Sequence, residues 1–310
     1  MARPDVCVVG EINPDLILYG LPAELQPEKE ILIDGFRLTL GSSSAIFAHN
    51  LAALGTRVGI ISKVGADPLG KIALERLSAG GVDVTHVAVS ASGTPTGLTV
   101  ILTRPGQRLI LTYPGTMFEL KYEDLNFDYI LSARHLHLSS FFLHRLLRPR
   151  IADLFHQAKS KGLSTSLDTN DDPEGRWEDD LKEVLAFVDI FLPNEREAKQ
   201  IARKDHLGEA LIALSQLCRT VAVKLGAQGA VVRHGSSEWR CPAPAVNPVD
   251  TVGAGDSFDA GYIHRFLAGA DPPECLRYAN AVGAFSTTRE GGTEAFRDRE
   301  ALAHFLGEAV

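Results

Sequence analysis

Asp250-Thr251-Val252-Gly253-Ala254-Gly255-Asp256-Ser257-Phe258 is the segment of this 310-residue chain best equipped for chemistry, and a helical pattern follows it through Leu267. A Gly-Ala-Gly turn at a helix start leaves unpaired backbone N–H groups pointing outward, with the positive end of the helix dipole behind them. That arrangement binds anions, phosphate above all. Asp256 adds a carboxylate at the same helix mouth. Beside an anion site a carboxylate repels the ligand unless its task is to take a proton from an attacking hydroxyl. The segment therefore reads as a phosphoryl-transfer site, with Gly253, Ala254 and Gly255 as the anion hole and Asp256 as general base. The plainer alternative is a helix cap at Asp256 and glycines that only permit a tight turn.

The elements that must position this segment alternate along the chain. Short β-branched stretches at 6–9, 58–61, 163–167, 188–192 and 221–225 predict strands, and amphipathic patterns at 45–54, 70–79, 150–161, 195–202 and 209–217 predict helices. Such alternation implies a mostly parallel sheet with helices on its faces, and the nearly all-apolar strands imply that both faces are covered. Two regions break the pattern. Residues 99–103 and 109–113 flank Arg104-Pro105-Gly106-Gln107-Arg108, which reads as a hairpin turn, while 15–19 and 31–40 look like strands without intervening helices. A single α/β domain over 1–310 is expected, with a small β lid built from about 12–20, 31–40 and 95–113 that also offers a homodimer surface.

Composition narrows the class. The chain is 45% hydrophobic with a net charge of −8, which excludes a mostly disordered chain and argues against nucleic acid as the main partner. No apolar run approaches the ~20 residues needed to span a bilayer, and the stretch at 6–9 is too short for a signal-peptide core. Cys7, Cys218, Cys241 and Cys275 lie far apart, so a disulfide framework or zinc knuckle is not expected. These features predict a cytoplasmic protein that is not membrane-bound.

Asp250-Thr251-x-Gly253-Ala254-Gly255-Asp256 resembles the C-terminal signature of the ribokinase-like (PfkB) carbohydrate kinases. Four further segments resemble the family in the same order. They are Gly10-Glu11-Ile12-Asn13-Pro14-Asp15, the glycine-serine stretch Gly41-Ser42-Ser43-Ser44-Ala45-Ile46-Phe47-Ala48, Asn194-Glu195-Arg196-Glu197, and Lys224-Leu225-Gly226-Ala227-Gln228-Gly229. The resemblance covers nearly the whole chain and implies a ribokinase-like three-layer sandwich that phosphorylates a primary hydroxyl of a sugar or sugar-like molecule with ATP and Mg²⁺. It implies that Asn13, Asp15, Gly41, Ser42 and Ser43 bind the sugar. Lys224, Gly226, Gly229, Thr251, Asn280 and Gly292 would lie at the nucleotide. Asn194 and Glu197 would orient the water shell of Mg²⁺, their spacing of three placing both on one face of a helix start. A monovalent cation such as K⁺ would be held through Asp250, Val252, Thr287, Glu290 and Gly292.

The chain also departs from the family. Ser42 stands where a second glycine is common, and Ile46 where an asparagine usually contacts the sugar. Ser43 replaces the lysine of members that act on phosphorylated sugars, which points to an uncharged substrate. Lys224 replaces a threonine and is expected to contact a phosphate. Three tempting motifs fail. Gly65-Ala66-Asp67-Pro68-Leu69-Gly70-Lys71-Ile72 has no hydroxyl at Ile72 for Mg²⁺ and loses an N–H at Pro68, so it is a surface turn before a helix. Asp168-Thr169-Asn170-Asp171-Asp172 is followed by Pro173 where a calcium loop needs glycine. His135 and His137 alternate on a strand-like stretch and are read as strand residues, not metal ligands. Two alternative functions stand beside sugar phosphorylation. One is a nucleoside kinase, with Phe36, Phe47, Phe118, Phe141 or Phe142 stacking on the base. The other is a catalytically idle sugar-binding protein on the same fold.

Overall fold

The computed structural model describes residues 3–22, 24–104 and 107–309. In chain order the elements are β1 (Val6–Val9), β2 (Pro14–Tyr19), β3 (Gly35–Leu40), α1 (Ser43–Ala53), β4 (Val58–Val64), α2 (Pro68–Ala79), β5 (Asp83–Val89), β6 (Leu98–Arg104), β7 (Gln107–Tyr113), α3 (Phe127–Ile130) and β8 (His135–Leu138). There follow α4 (Ile151–Ser160), β9 (Ser164–Leu167), α5 (Asp180–Leu185), β10 (Ile190–Phe191), α6 (Glu195–Ala202), α7 (Leu207–Ser215) and β11 (Thr220–Lys224). The chain closes with β12 (Ala230–His234), β13 (Ser237–Cys241), α8 (Ala254–Leu267), α9 (Pro272–Ser286) and α10 (Arg299–Ala309).

Nine strands form one sheet in the order β13-β12-β11-β10-β9-β8-β1-β4-β5, parallel from β5 to β11 and antiparallel at β12 and β13. Alternation along β1 shows how the two faces are covered. Val6 and Val8 join the apolar cluster under α1, α2, α8 and α9, whereas Cys7 and Val9 join the cluster under α4, α5, α6 and α7. The strand order reverses at β1, which lies between β4 and β8. In open α/β sheets the crevice for ligands opens beyond the carboxyl ends of the strands at such a point. Gly10 to Asp15 leave β1 there.

A separate four-stranded sheet, β3-β2-β6-β7, stands apart from the main layer. Its register pairs Asp15 with Thr99 and Ile17 with Ile101, so these side chains share one face. Buried Ile17 and Ile101 pack on Val252, which seats this sheet directly on the loop before α8. The predicted turn residues Pro105 and Gly106 lie outside the described residues.

Most sequence-derived elements recur within a few residues, and the exceptions have local causes. The strand expected over 31–40 begins only at Gly35, because its partner β2 ends at Tyr19, opposite Gly35. The strand expected over 188–192 shortens to Ile190–Phe191. The β12–β13 hairpin escaped the pattern because β13 is almost wholly exposed and carries no apolar alternation. Asp67 caps α2 and accepts the Gly70 N–H at 2.9 Å, so the rejected phosphate-loop motif is indeed a turn before a helix. Among the described residues no helix is long and apolar enough to cross a membrane.

Candidate active site

Helix α8 begins at Gly253, whose φ of 71° is left-handed. A β-carbon on Gly253 would lie 2.7 Å from the Gly292 Cα, so this turn tolerates glycine alone. Among the described residues no acceptor takes the N–H groups of Gly253, Gly255 or Asp256, as expected for the first turn of a helix. The Ala254 N–H reaches the Thr251 carbonyl at 3.4 Å. Asp250 shapes the approach to this turn: one carboxylate oxygen accepts the Val252 N–H and the other the Gly291 N–H, each at 2.9 Å. The Thr287 carbonyl takes the Val249 and Asp250 N–H groups at 2.7 and 3.2 Å. Glu290 is held by Arg37 at 3.1 Å.

Asp256 is buried in the first turn of α8. Burial, and next the charge of Asp168, push its carboxyl up to about 7, against the lowering pull of Lys224 and a hydrogen bond from Ser43. Asp15 faces it from β2. Burial and the Asp256 charge raise Asp15 to about 7 as well, while a Thr99 hydrogen bond opposes the rise. Asn13 donates to Thr99 Oγ1 at 3.2 Å, and its own Oδ1 is buried without a partner. A buried acceptor left open beside a carboxylate suits a ligand that brings hydroxyl donors. Gly41 donates its N–H to the Asn13 carbonyl at 2.9 Å, and any β-carbon there would collide with Asp15. Ser42 caps α1 and donates to the Glu11 carbonyl at 2.9 Å. Ser43, which opens α1, thus lies close to the Asp256 carboxylate.

On the other side of the α8 tip lies a cavity of about 450 Å³. Lys224, Gly226, Gly229, Thr251 and Asn280 all line it, together with Ala254, Gly255 and the apolar wall of Ala243, Pro244, Val246 and Phe258. Its size and apolar lining suit a nucleotide base and sugar. Asn280 ties down the strap forming that wall by donating to the Cys241 carbonyl at 2.9 Å. Gly292 is not part of the lining. It packs behind the anion hole against Gly253 and Ile46.

Lys224 does not present a free ammonium to the cavity. Its Nζ lies 2.8 Å from Asp168 and 3.1 Å from Asp259, both buried. Burial would lower the Lys224 pKa, but Asp168, Asp259 and Glu197 outweigh it and hold the lysine charged. Lys224 thus neutralises buried acids while it also lines the cavity. Asn194 and Glu197 form a reciprocal cap on α6: the Asn194 N–H donates to Glu197 at 2.9 Å, and the Glu197 N–H to Asn194 Oδ1 at 3.0 Å. Glu197 is nonetheless buried, and burial followed by the Asp168 charge raises it to about 7. Three buried acids, Asp168, Asp259 and Glu197, compete for one lysine and form a donor set that a hydrated Mg²⁺ would satisfy.

The profile described as pfkB family carbohydrate kinase matches residues 3–299. The chain belongs to the PfkB family of carbohydrate kinases. An ATP-dependent ribose-1-phosphate kinase from Halopiger xanaduensis is 32% identical over 307 residues, 98% of both chains. A 2-dehydro-3-deoxygluconokinase from Bacillus subtilis is 31% identical over 287 residues, 88% of both chains. Among solved structures, an E. coli protein in complex with ATP and Mg²⁺ superposes with a TM-score of 0.85 at 26% identity, covering 99% of this chain and 100% of that one. As a PfkB kinase the chain is an ATP-dependent phosphotransferase of ribokinase-like fold.

Reading the PfkB site from sequence missed four residues. Asp168, rejected as a calcium ligand, stands just beyond the carboxyl end of β9 and ties to Lys224; its position after a parallel strand was the available signal. Asp259 follows Asp256 by one helical turn, a spacing that puts both on one face. Glu11 lies beneath the acceptor side. Its carboxylate accepts from Ser44 Oγ at 2.7 Å and Ser140 Oγ at 2.8 Å, and approaches His144 at 3.4 Å. Asn50 carries no sequence signal at all. Of the aromatic residues, Phe47, Phe141 and Phe142 are buried core and Phe36 is 71% exposed. His135 and His137 are buried on β8 and bonded to Ser164, Ser166 and Ser139, and no metal-ligating cluster occurs among the described residues.

Proposed function

We propose that this kinase transfers the γ-phosphoryl group of ATP to a primary hydroxyl of an uncharged sugar or sugar-like alcohol. The observation that carries the reading is the placement of buried Asp256 at the N–H-lined tip of α8, facing Asp15 on one side and the nucleotide-sized cavity on the other. Asp15 and Asn13 accept hydrogen bonds from the acceptor's hydroxyls and orient it. As the acceptor oxygen bonds to the γ-phosphorus, its proton passes to the Asp256 carboxylate, the bond to the β-phosphate oxygen breaks, and ADP leaves. The N–H groups of Gly253, Ala254 and Gly255 stabilise charge on the transferred group. Asn194 and Glu197 would hold Mg²⁺ through water, and the ion would supply neutralising charge at the phosphates. Ser43 bonds to Asp256 where a lysine would be needed to attract a phosphorylated substrate. The small sheet acts as a lid that excludes water from the cleft. Its edge strand β7 exposes Leu109, Ile110 and Leu111, which supports a second use as a homodimer surface.

A coupled ADP-release assay over pentoses, hexoses, keto acids, nucleosides and ribose-1-phosphate tests the reading. An uncharged sugar is expected to give the highest kcat/KM. Preference for ribose-1-phosphate or a nucleoside would overturn the substrate class. Thermal stabilisation by sugars without ADP release would make the protein an idle binder.

The same geometry sets a pH dependence. Asp256 and Asp15 must be ionised to work, so kcat/KM for the acceptor should rise as pH passes through about 7. Their folded-state pKa values exceed the unfolded ones, so both groups favour the fold while protonated. That stability is fully present below the unfolded value near 4 and is lost as pH rises through about 7. A flat kcat/KM profile between about pH 6 and 8 would show that neither carboxylate titrates in catalysis.

A further inference from the structure

Lys224 stands where the acids of the cleft and the tip of α8 meet. It ends β11, where its backbone pairs with Asn194 across a single parallel bridge and donates its N–H to the Pro193 carbonyl at 3.0 Å. The lysine thereby starts out beside the Asn194 and Glu197 pair. Its side chain crosses to Asp168 beyond β9 and to Asp259 on α8, at 2.8 and 3.1 Å, and both carboxylates are only 1% exposed. The same ammonium lies against the tip of α8, since a β-carbon on Gly255 would meet Nζ at 3.6 Å. One positive charge thus binds Asp168 and Asp259 directly, acts on Glu197 and Asp256 through space, and borders the nucleotide-sized cavity.

Without such a cation the empty cleft would hold buried carboxylates with no partner, a strongly destabilising state. A divalent cation arriving beside Glu197 without its nucleotide would meet this ammonium at short range, and like charges in a poorly solvated cleft repel strongly. Phosphates that arrive with the metal reverse the balance, because they attract both cations. Building on the kinase reading above, we infer that Lys224 is a built-in stand-in for Mg²⁺ among the buried acids, weakening the binding of free metal and coupling its uptake to that of ATP.

Two affinities of the full chain test this, each read by calorimetry and by the shift in thermal midpoint at constant ionic strength: that for MgCl₂ without nucleotide, and that for ATP in EDTA. Lys224→Met keeps an unbranched apolar stem but removes the charge. Its dissociation constant for Mg²⁺ alone is expected to be about tenfold or more below that of wild type. Its dissociation constant for metal-free ATP should rise about tenfold, because the acids then face the phosphates uncompensated. The two shifts run in opposite directions, which a merely structural loss would not produce. An affinity for Mg²⁺ that is unchanged within about twofold, or weakened, would overturn the inference. Should Lys224→Met not fold, Lys224→Met combined with Asp259→Asn removes the ion pair together, and the same opposite shifts are expected relative to Asp259→Asn alone. Unchanged or parallel shifts would again be contrary. No ADP release by wild type with any acceptor would count against the kinase reading itself, whereas two affinities that fail to diverge count against this inference alone.

Discussion

Asp256→Asn is expected to lower kcat by about 10²- to 10⁴-fold, the range for loss of a positioned general base. An asparagine keeps the shape of the side chain and an oxygen for the Ser43 hydrogen bond, but it cannot take the acceptor's proton. The loss should appear equally in kcat and in kcat/KM for the acceptor, because the removed interaction exists only as the proton moves. KM for ATP should change little, since the cavity walls are formed by other residues. The substitution also removes a charge that burial and Asp168 oppose. The apo variant should therefore melt higher than wild type at pH 8, where Asp256 is ionised, and the gap should close as pH falls towards the unfolded value near 4. A variant with near wild-type turnover would sink the assignment of Asp256 as base.

Gly253→Ala should be nearly as damaging for a different reason. An alanine at a φ of 71° is strained by about 1–2 kcal/mol before any contact is considered. Its methyl group would then press on the Gly292 Cα at 2.7 Å and on Ile46 at 3.1 Å, and backbone cannot rotate away as a side chain can. The turn must move, and the N–H groups aimed at the transferred phosphoryl move with it. Loss of one such donor typically lowers kcat about 10²- to 10³-fold. Gly255→Ala is the control for folding alone, because its methyl meets only Lys224 at 3.6 Å, an ordinary contact, and its melting temperature should stay near wild type. Circular dichroism melts and single-turnover rates on both variants separate the effects. If Gly253→Ala keeps both its melting temperature and its rate, the hole as described is not the catalytic one.

The fold was largely legible because strand and helix patterns report burial on one face or two. β1 recurred over the predicted residues, and α6 did as well, its cap built from the Asn194 and Glu197 pair that marked it. The short antiparallel additions were not legible, since an exposed edge such as β13 carries no apolar period. Lys224 illustrates the limit within the site. Its place after a strand was clear, but its commitment to Asp168, 56 residues away, and to Asp259, 35 residues away, was not.

The sequence by itself determined the tip of α8. A glycine turn, a helix start and a carboxylate in the first turn are set by interactions spanning a few residues, so Gly253 to Asp256 could be assigned roles directly. Tertiary structure decided which groups surround that tip: Asp15 from the small sheet, Asp168 beyond β9, and Asn50 reaching Ser257 across 207 residues. Burial and the proximity of like charges arise only when distant segments pack together. The elevated pKa values of Asp15 and Asp256 therefore belong to the folded chain.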